Sequence, residues 1–322
     1  MKPVRNILIS FFCFCAFWVG LVYFQLGNPT QESKWVEEVY SFKEKYASQI
    51  HERKIVMVSG SNCLFGIDSE MLEKEWGMPV VNDAVHAGLQ MPYILYKSKK
   101  VLKQGDIAIL PLEYFFYIND YKPSQTYTDF VLARDVEYFS NLPIKEKFKL
   151  VFAVSFERII TGIRSPFHKL KPTVGFYGVQ NLNSHGDEIV PYDKEAFSKL
   201  DTVRADVIPS NQLSDEFRFY MNQYVAWAKK NHIKLIFMPP NHMYFKAYHL
   251  PHYKAFLQNI KKYYDEKHLL YIGDPYDYMY KKEYYFNTTY HLNDRGVALR
   301  TKQLIHDLKP VMATIINSGA KS

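Results

Sequence analysis

"KIVMVSG", residues 54–60, decides the fold. Ile55 to Val58 make a short apolar run that stops at Ser-Gly, which reads as a buried strand. The next segments repeat the pattern. Asp68 is placed to cap a helix reaching about Trp76, with Glu70 in its first turn and Gly77 at its end. "PVVN" (79–82) reads as a second strand. "PYILYKSKKVLKQ" (92–104) reads as a helix, with Pro92 near its start and Gly105 closing it. "DIAILPL" (106–112) is a third strand. Strand, helix, strand, helix, strand is the order of a parallel sheet with crossover helices, so the fold class expected is α/β.

The alternation lapses between Glu113 and Pro209 and then resumes. The middle holds "EYFFYINDY", no repeat and no low-complexity tract, and reads as a helical and aromatic insertion at about 115–210 that covers the sheet. Beyond it, residues 214–230 form an amphipathic helix with Phe217, Tyr220, Met221, Tyr224 and Ala228 on one stripe. "IKLIFMPP" (233–240) is a strand stopped by two prolines, 251–266 is helical, and "LLYIGDP" (269–275) is a last strand. Asn293 is placed to cap a final helix whose Val297, Thr301, Leu304 and Leu308 share a face. The α/β domain therefore runs over 54–316.

Residues 1–25 read as a membrane anchor and 26–53 as a stalk, mostly one polar helix over 32–50. "ILISFFCFCAFWVGLVYF" (7–24) is an uncharged apolar run of 18 residues, close to the ~20 that cross a bilayer. Lys2 and Arg5 precede it, which keeps the N-terminus in the cytoplasm and exports the rest. A cleaved signal peptide is the rival reading, but no small-x-small site follows the run, so a retained anchor is expected. Cys13 and Cys15 fall in the run and leave Cys63 alone outside it, where it reads as a small buried apolar residue. The net charge is +7, but the basic residues are scattered rather than clustered, which argues against a nucleic-acid partner.

Ligands of open parallel sheets bind beyond the carboxyl ends of the strands. Three stretches fall there. In "VSGSNCLFG" (58–66) a hydroxyl stands at the sheet edge just after a strand, though a plain strand-to-helix turn reads the same way. It is neither the G-x-S-x-G elbow nor a Walker loop, since neither spacing matches. "VVNDAVHAGL" (80–89) offers Gly88, whose N–H could serve an oxyanion, and His86, which reads as a packing or hydrogen-bonding residue. "FNTTYHLNDRG" (286–296) sets His291 just before a helix, where its ring can reach back toward the first turn as a general base. His242, His249 and His252 lie close together but lack a defined metal-ligand spacing; His242 is placed on the wall of a cleft.

Taken together, "GSNCLFGID", "NDAVHAGL", "GDIAILPLEY" and "YHLNDRGVALRT" resemble the SGNH hydrolase superfamily. Within it they resemble the membrane-anchored branch of alginate acetylation proteins and DltD-like cell-envelope proteins. The resemblance covers about 54–115 and 233–308. It implies a three-layer, flavodoxin-like parallel-sheet domain with Ser61 as nucleophile, His291 as base, and the amides of Ser61 and Gly88 as an oxyanion hole to which Asn62 could add a donor. It implies no cofactor and no metal. The function it implies is O-acyl transfer, in particular O-acetylation of a bacterial cell-envelope polysaccharide, with acyl groups supplied by a multi-spanning membrane O-acyltransferase. A carbohydrate esterase of the same fold, or a non-catalytic envelope scaffold binding glycan or an acyltransferase, are the alternatives.

Several positions depart from the superfamily pattern. The usual Gly-Asp-Ser is Ser59-Gly60-Ser61, followed by Asn62, and a shifted register would put Asn62 in the nucleophile's place. Glu113 stands near the place of the missing Gly-x-Asn-Asp block. The triad acid would be Thr288, three residues before His291, so Asn287 is the nearest orienter and Asp274 a candidate substitute acid. An asparagine can set an imidazole tautomer but cannot offset its charge, a swap that costs serine proteases roughly 10⁴ in turnover.

Overall fold

The structure, a computed structural model, describes residues 2–189, 194–208 and 210–319. In chain order it runs α1 (Lys2–Phe24), α2 (Gln31–Gln49), β1 (Ile55–Met57), α3 (Ser61–Leu64), α4 (Ser69–Trp76), β2 (Val80–Asn82), α5 (Met91–Val101) and β3 (Ile107–Leu110). Then come α6 (Gln125–Arg134), α7 (Val136–Asn141), α8 (Ile144–Ala153), α9 (Phe156–Arg164) and the short α10 (Lys194–Ser198). The chain closes with α11 (Asp215–Lys230), β4 (Lys234–Phe237), β5 (His242–Met243), α12 (Pro251–Glu266), β6 (Met279–Tyr280) and α13 (Asp294–Gly319).

The main sheet is parallel throughout, in the order β2-β1-β3-β4. Val56 lies beside both Val81 and Ala108, so the strands end together and their loops leave from one edge. Buried residues fill β1, β2 and β3 from end to end, as a sheet covered on both faces requires. The helix signals act as read. The Asp68 carboxylate accepts from the Met71 N–H at 2.9 Å, and Gly77 takes the left-handed conformation that ends α4. The Asn293 side chain accepts from the Gly296 N–H at the start of α13. Residues 269–275 do not form the expected strand. They join β4 by a single bridge at Tyr271, because Gly273 at φ +98° and Pro275 turn the chain away at once.

The chain forms two compact units, one of Met1–Glu38 with Tyr121–Val174, the other of Val39–Asp120 with Gly175–Ser322. The expected insertion at 115–210 is thus divided rather than laid whole over the sheet. Its helices α6–α9 group with α1 and the first half of α2. The reason lies in specific bonds. The Gly27 N–H donates to the Leu132 carbonyl, Asn28 to the Gly162 carbonyl, and the Trp18 indole to the Val151 carbonyl. Thr30 donates to Asp129, which also pairs with the buried Arg158. Which helices pair is decided by such contacts, and helical periodicity alone does not carry them.

In the sheet unit the core joins Ile55, Met57, Ile109 and Ile236 to Leu304 and Leu308 of α13. Leu304 is fully buried there. Leu304→Ala is expected to destabilise the protein by about 2–5 kcal/mol, the range for emptying a packed leucine site. Thermal unfolding in detergent, compared with Leu299→Ala at an exposed position of the same helix, measures it.

Candidate functional site

The loop after β1 turns directly into α3, a single helical turn that could not persist alone. It is clamped from both sides. Below it, the buried Glu113 accepts from the Gly60 and Asn62 N–H groups, each at 3.2 Å, and from the Ser59 hydroxyl. Burial pushes this carboxyl above the usual range, and the hydrogen bonds pull the other way. On the far side, Arg300 of α13 donates to the Asn62 carbonyl at 2.6 Å and to Asn62 Oδ1 at 2.8 Å. Gly60 allows this approach, since a Cβ there would stand 2.4 Å from Glu113 Oε1 and 2.6 Å from the Ala87 methyl.

The clamp aims the Ser61 side chain at His291. Its Oγ lies 2.8 Å from His291 Nε2. On the other side of the ring, Nδ1 lies 2.8 Å from Asn287 Oδ1. Asn287 presents its amide oxygen to the ring, and an oxygen can only accept. The imidazole proton then sits on Nδ1, donated to Asn287, and Nε2 is the acceptor for the serine proton. Asn287 and His291 meet because their loop is tight. The Phe286 N–H donates to the His291 carbonyl at 2.8 Å, and the Thr288 hydroxyl accepts from the His291 N–H at 3.1 Å. The loop is tied to the serine turn by the Leu292 N–H, which donates to the Phe65 carbonyl.

The site is dry. Ser61 is 8% exposed and His291 5%. The Phe65 ring stacks on the imidazole at 4.3 Å and the Tyr177 ring meets it edge-on at 6.5 Å. Burial, and secondarily the neighbouring His86, lower the His291 pKa to about 3. His86 is likewise lowered to about 4 by burial. Both rings are therefore neutral at pH 7, which leaves His291 free to accept a proton but makes the imidazolium costly to form.

The other expected site residues are distributed differently. The Gly88 N–H donates to His86 Nδ1 at 2.9 Å, so it is engaged within its own loop rather than presented to an oxyanion. The Asn62 side chain faces away from the site, donating to the Pro111 carbonyl at 2.9 Å and to Ser59. The register that would make Asn62 the nucleophile is therefore excluded, and so is its side chain as an oxyanion donor. The Ser61 N–H, at the first position of α3, has no acceptor within that helix. Glu113 supports the turn and does not touch His291. Asp274 is exposed and caps the turn at Pro275–Tyr278 by accepting from the Tyr276 N–H; it is no substitute acid. His242 is fully buried, with Nε2 3.0 Å from Asp206, a carboxylate that also accepts from the Tyr290 hydroxyl. It braces the residue next to His291 instead of lining an open wall. His249 stacks on Tyr276, and His252 lies tilted against Tyr253. Among the described residues no three His, Cys, Asp or Glu side chains converge to hold a metal ion. Phe65, Tyr177 and Arg300 carry no motif legible in the sequence, and only their packing exposes their roles.

No family model and no curated protein matches this chain. A solved structure described as "a putative platelet activating factor from Streptococcus pneumonia" is similar at 16% identity, over 72% of this chain and 95% of that one, with a TM-score of 0.24. A likeness of that size carries no argument about activity.

The low His291 pKa has a measurable sign. An ordinary histidine, at about 6.5, would be mostly protonated at pH 5 and lose roughly 30-fold in base activity between pH 7 and pH 5. Here the rate of Ser61 acylation by an activated acetyl ester is expected to change little over that range. Asn287→Asp, by placing a negative charge on Nδ1, should raise the pKa and restore a fall toward pH 5. Stability follows the same linkage. A histidine whose folded pKa is depressed favours the fold above its unfolded pKa, and that advantage is lost as pH drops toward 4. Unfolding midpoints should therefore fall between pH 6.5 and 4, and less steeply in His86→Asn.

Proposed function

We propose that this chain is a membrane-anchored, exported O-acyltransferase of SGNH type, transferring acetyl groups to a cell-envelope polysaccharide through an acyl-serine. The observation that carries the reading is the Ser61–His291–Asn287 line, two hydrogen bonds of 2.8 Å through one neutral imidazole. Nucleophile and base within hydrogen-bond reach, with a third group orienting the base, is the arrangement acyl transfer needs. The parallel order β2-β1-β3-β4, with the serine after the first strand and the histidine before the last helix, supports the three-layer, flavodoxin-like arrangement expected of that superfamily. The helix α1 is long and apolar enough to cross a bilayer and almost none of it is buried, which supports a single-pass anchor in the cytoplasmic membrane with the remainder outside.

In the first half-reaction His291 Nε2 takes the Ser61 hydroxyl proton as Oγ bonds to the acyl carbon. The oxyanion forms beside the Ser61 N–H, and the leaving group departs with the proton. In the second half-reaction Nε2 takes a proton from an acceptor hydroxyl, that oxygen attacks the acyl carbon, and Ser61 recovers its proton. Asn287 keeps the tautomer through both halves but leaves the imidazolium uncompensated, so an activated acyl donor suits this site better than a stable ester. A multi-spanning O-acyltransferase that hands acyl groups across the membrane is the partner this chemistry asks for. Discharge of the same acyl-enzyme to water would make the protein an esterase. A non-catalytic scaffold is disfavoured by the 2.8 Å Ser61–His291 hydrogen bond, which a purely structural turn does not require.

Mass spectrometry of the full chain in detergent, after incubation with p-nitrophenyl acetate, tests the reading. A single acetyl adduct on Ser61 that is absent in Ser61→Ala and in His291→Ala is expected. Folded protein without an adduct, beside an esterase that labels in parallel, would reject the enzyme reading. Loss of the adduct on adding short oligosaccharides, with acetylated sugar formed, separates transfer from hydrolysis.

A further inference from the structure

The unit built on Met1–Glu38 and Tyr121–Val174 carries a feature that acyl transfer does not use. Ile144, Phe148 and Phe152 recur every fourth residue along α8, and Phe156 follows at the start of α9. Four-residue spacing puts the first three on one helix face. All four are between 40 and 83% exposed. Lys145 and Lys149 lie along one flank of that stripe and Lys147 along the other. From 144 to 171 the chain holds seven Lys or Arg against two Glu. An apolar stripe with lysine flanks is the pattern of a helix lying in a membrane interface, its rings among acyl chains and its ammonium groups reaching the headgroups.

The placement of α8 against α1 turns that pattern into a depth. The Trp18 indole N–H donates to the Val151 carbonyl at 3.0 Å. Trp18 stands six residues before Phe24, the outer end of the apolar run, which at 1.5 Å per residue is about 9 Å inward. Val151 is in the last turn of α8, where a carbonyl has no partner in its own helix. Left bare in hydrocarbon such a group is costly, and the tryptophan satisfies it. Tyr23 packs against Phe139, and Gln25 accepts from Arg158, so the outer turns of α1 are held by the same helices.

We propose that α8 and the start of α9 are embedded in the outer leaflet of the membrane that α1 spans, with Ile144, Phe148, Phe152 and Phe156 among the acyl chains and an anionic headgroup layer as the partner of the lysines. The inference rests on the reading of α1 as a membrane span. It makes the anchor unit a leaflet-embedded module rather than a tether.

Spin labels test it on the full chain with Cys13 and Cys15 replaced by alanine; Cys63 is buried. Single cysteines are placed at Phe12, Phe148, Phe152, Phe156 and the exposed Lys230. The protein is reconstituted in vesicles of phosphatidylethanolamine and phosphatidylglycerol. Relaxation by oxygen, which partitions into lipid, is compared with relaxation by a water-soluble nickel chelate. The expected result is an oxygen-to-nickel ratio at 148, 152 and 156 several-fold above that at 230 and close to that at 12. A lipid-like ratio at 12 with water-like ratios at the three α8–α9 sites overturns the inference and leaves the anchor standing. Water-like ratios at 12 as well overturn both. Labels that read water in lipid vesicles but are immobilised in native membranes would assign the face to a membrane protein and also overturn it.

Discussion

Two buried side chains, a carboxyl and a guanidinium, hold the turn that carries Ser61. Glu113, just beyond β3, binds the turn's N–H groups, and Arg300, on α13, binds its carbonyls. A four-residue helix has too few internal bonds to choose its own direction, so its orientation comes entirely from these outside partners. The remaining geometry depends on this clamp. It consumes the side chain of Asn62 and leaves that of Ser61 to meet a histidine on a loop 230 residues away. Both clamp side chains are buried, where a polar group left without a partner would be expensive, so the turn is rigid for the same reason that it is well aimed.

The site is tuned for a base that stays neutral. Enclosure by Phe65 and Tyr177, with no carboxylate on the far side of the ring, disfavours the imidazolium. That dryness strengthens each hydrogen bond within the site, but it also raises the cost of the charged intermediate through which acyl transfer passes. Asn287 fixes the tautomer: its oxygen meets Nδ1, which holds the proton there and leaves Nε2 toward Ser61.

The two units treat their apolar side chains differently. The sheet unit buries its apolar residues in a conventional core behind the serine turn. The unit around α1 leaves aromatic side chains outward on α8 and α9 and uses side-chain bonds to satisfy its helix ends. Exposed apolar stripes of that kind are unfavourable in water and natural against lipid.

By itself the sequence determined the parallel α/β pattern, the caps at Asp68 and Asn293 and the apolar helix at the N-terminus, each written in a local signal such as a short apolar run or a capping residue beside a periodic stripe. Ser61, His291 and Asn287 were only candidates there, named through the resemblance of four short motifs, and the structure brings their side chains together. The parts that were not legible are those made by residues far apart in the chain. Nothing in "PLEY" distinguishes a Glu113 that props a turn from one that serves as a triad acid. Nothing near Gly88 says that His86 takes its amide, and Asp274 looks like an acid until its own turn is seen to claim it. The division of 115–210 between two units, and the silent partners Phe65, Tyr177 and Arg300, belong to the same class. Local patterns record which backbone conformation a segment prefers. A side chain's hydrogen-bond partner is settled only when packing removes water and leaves one donor within reach of one acceptor, and only the tertiary structure decides that.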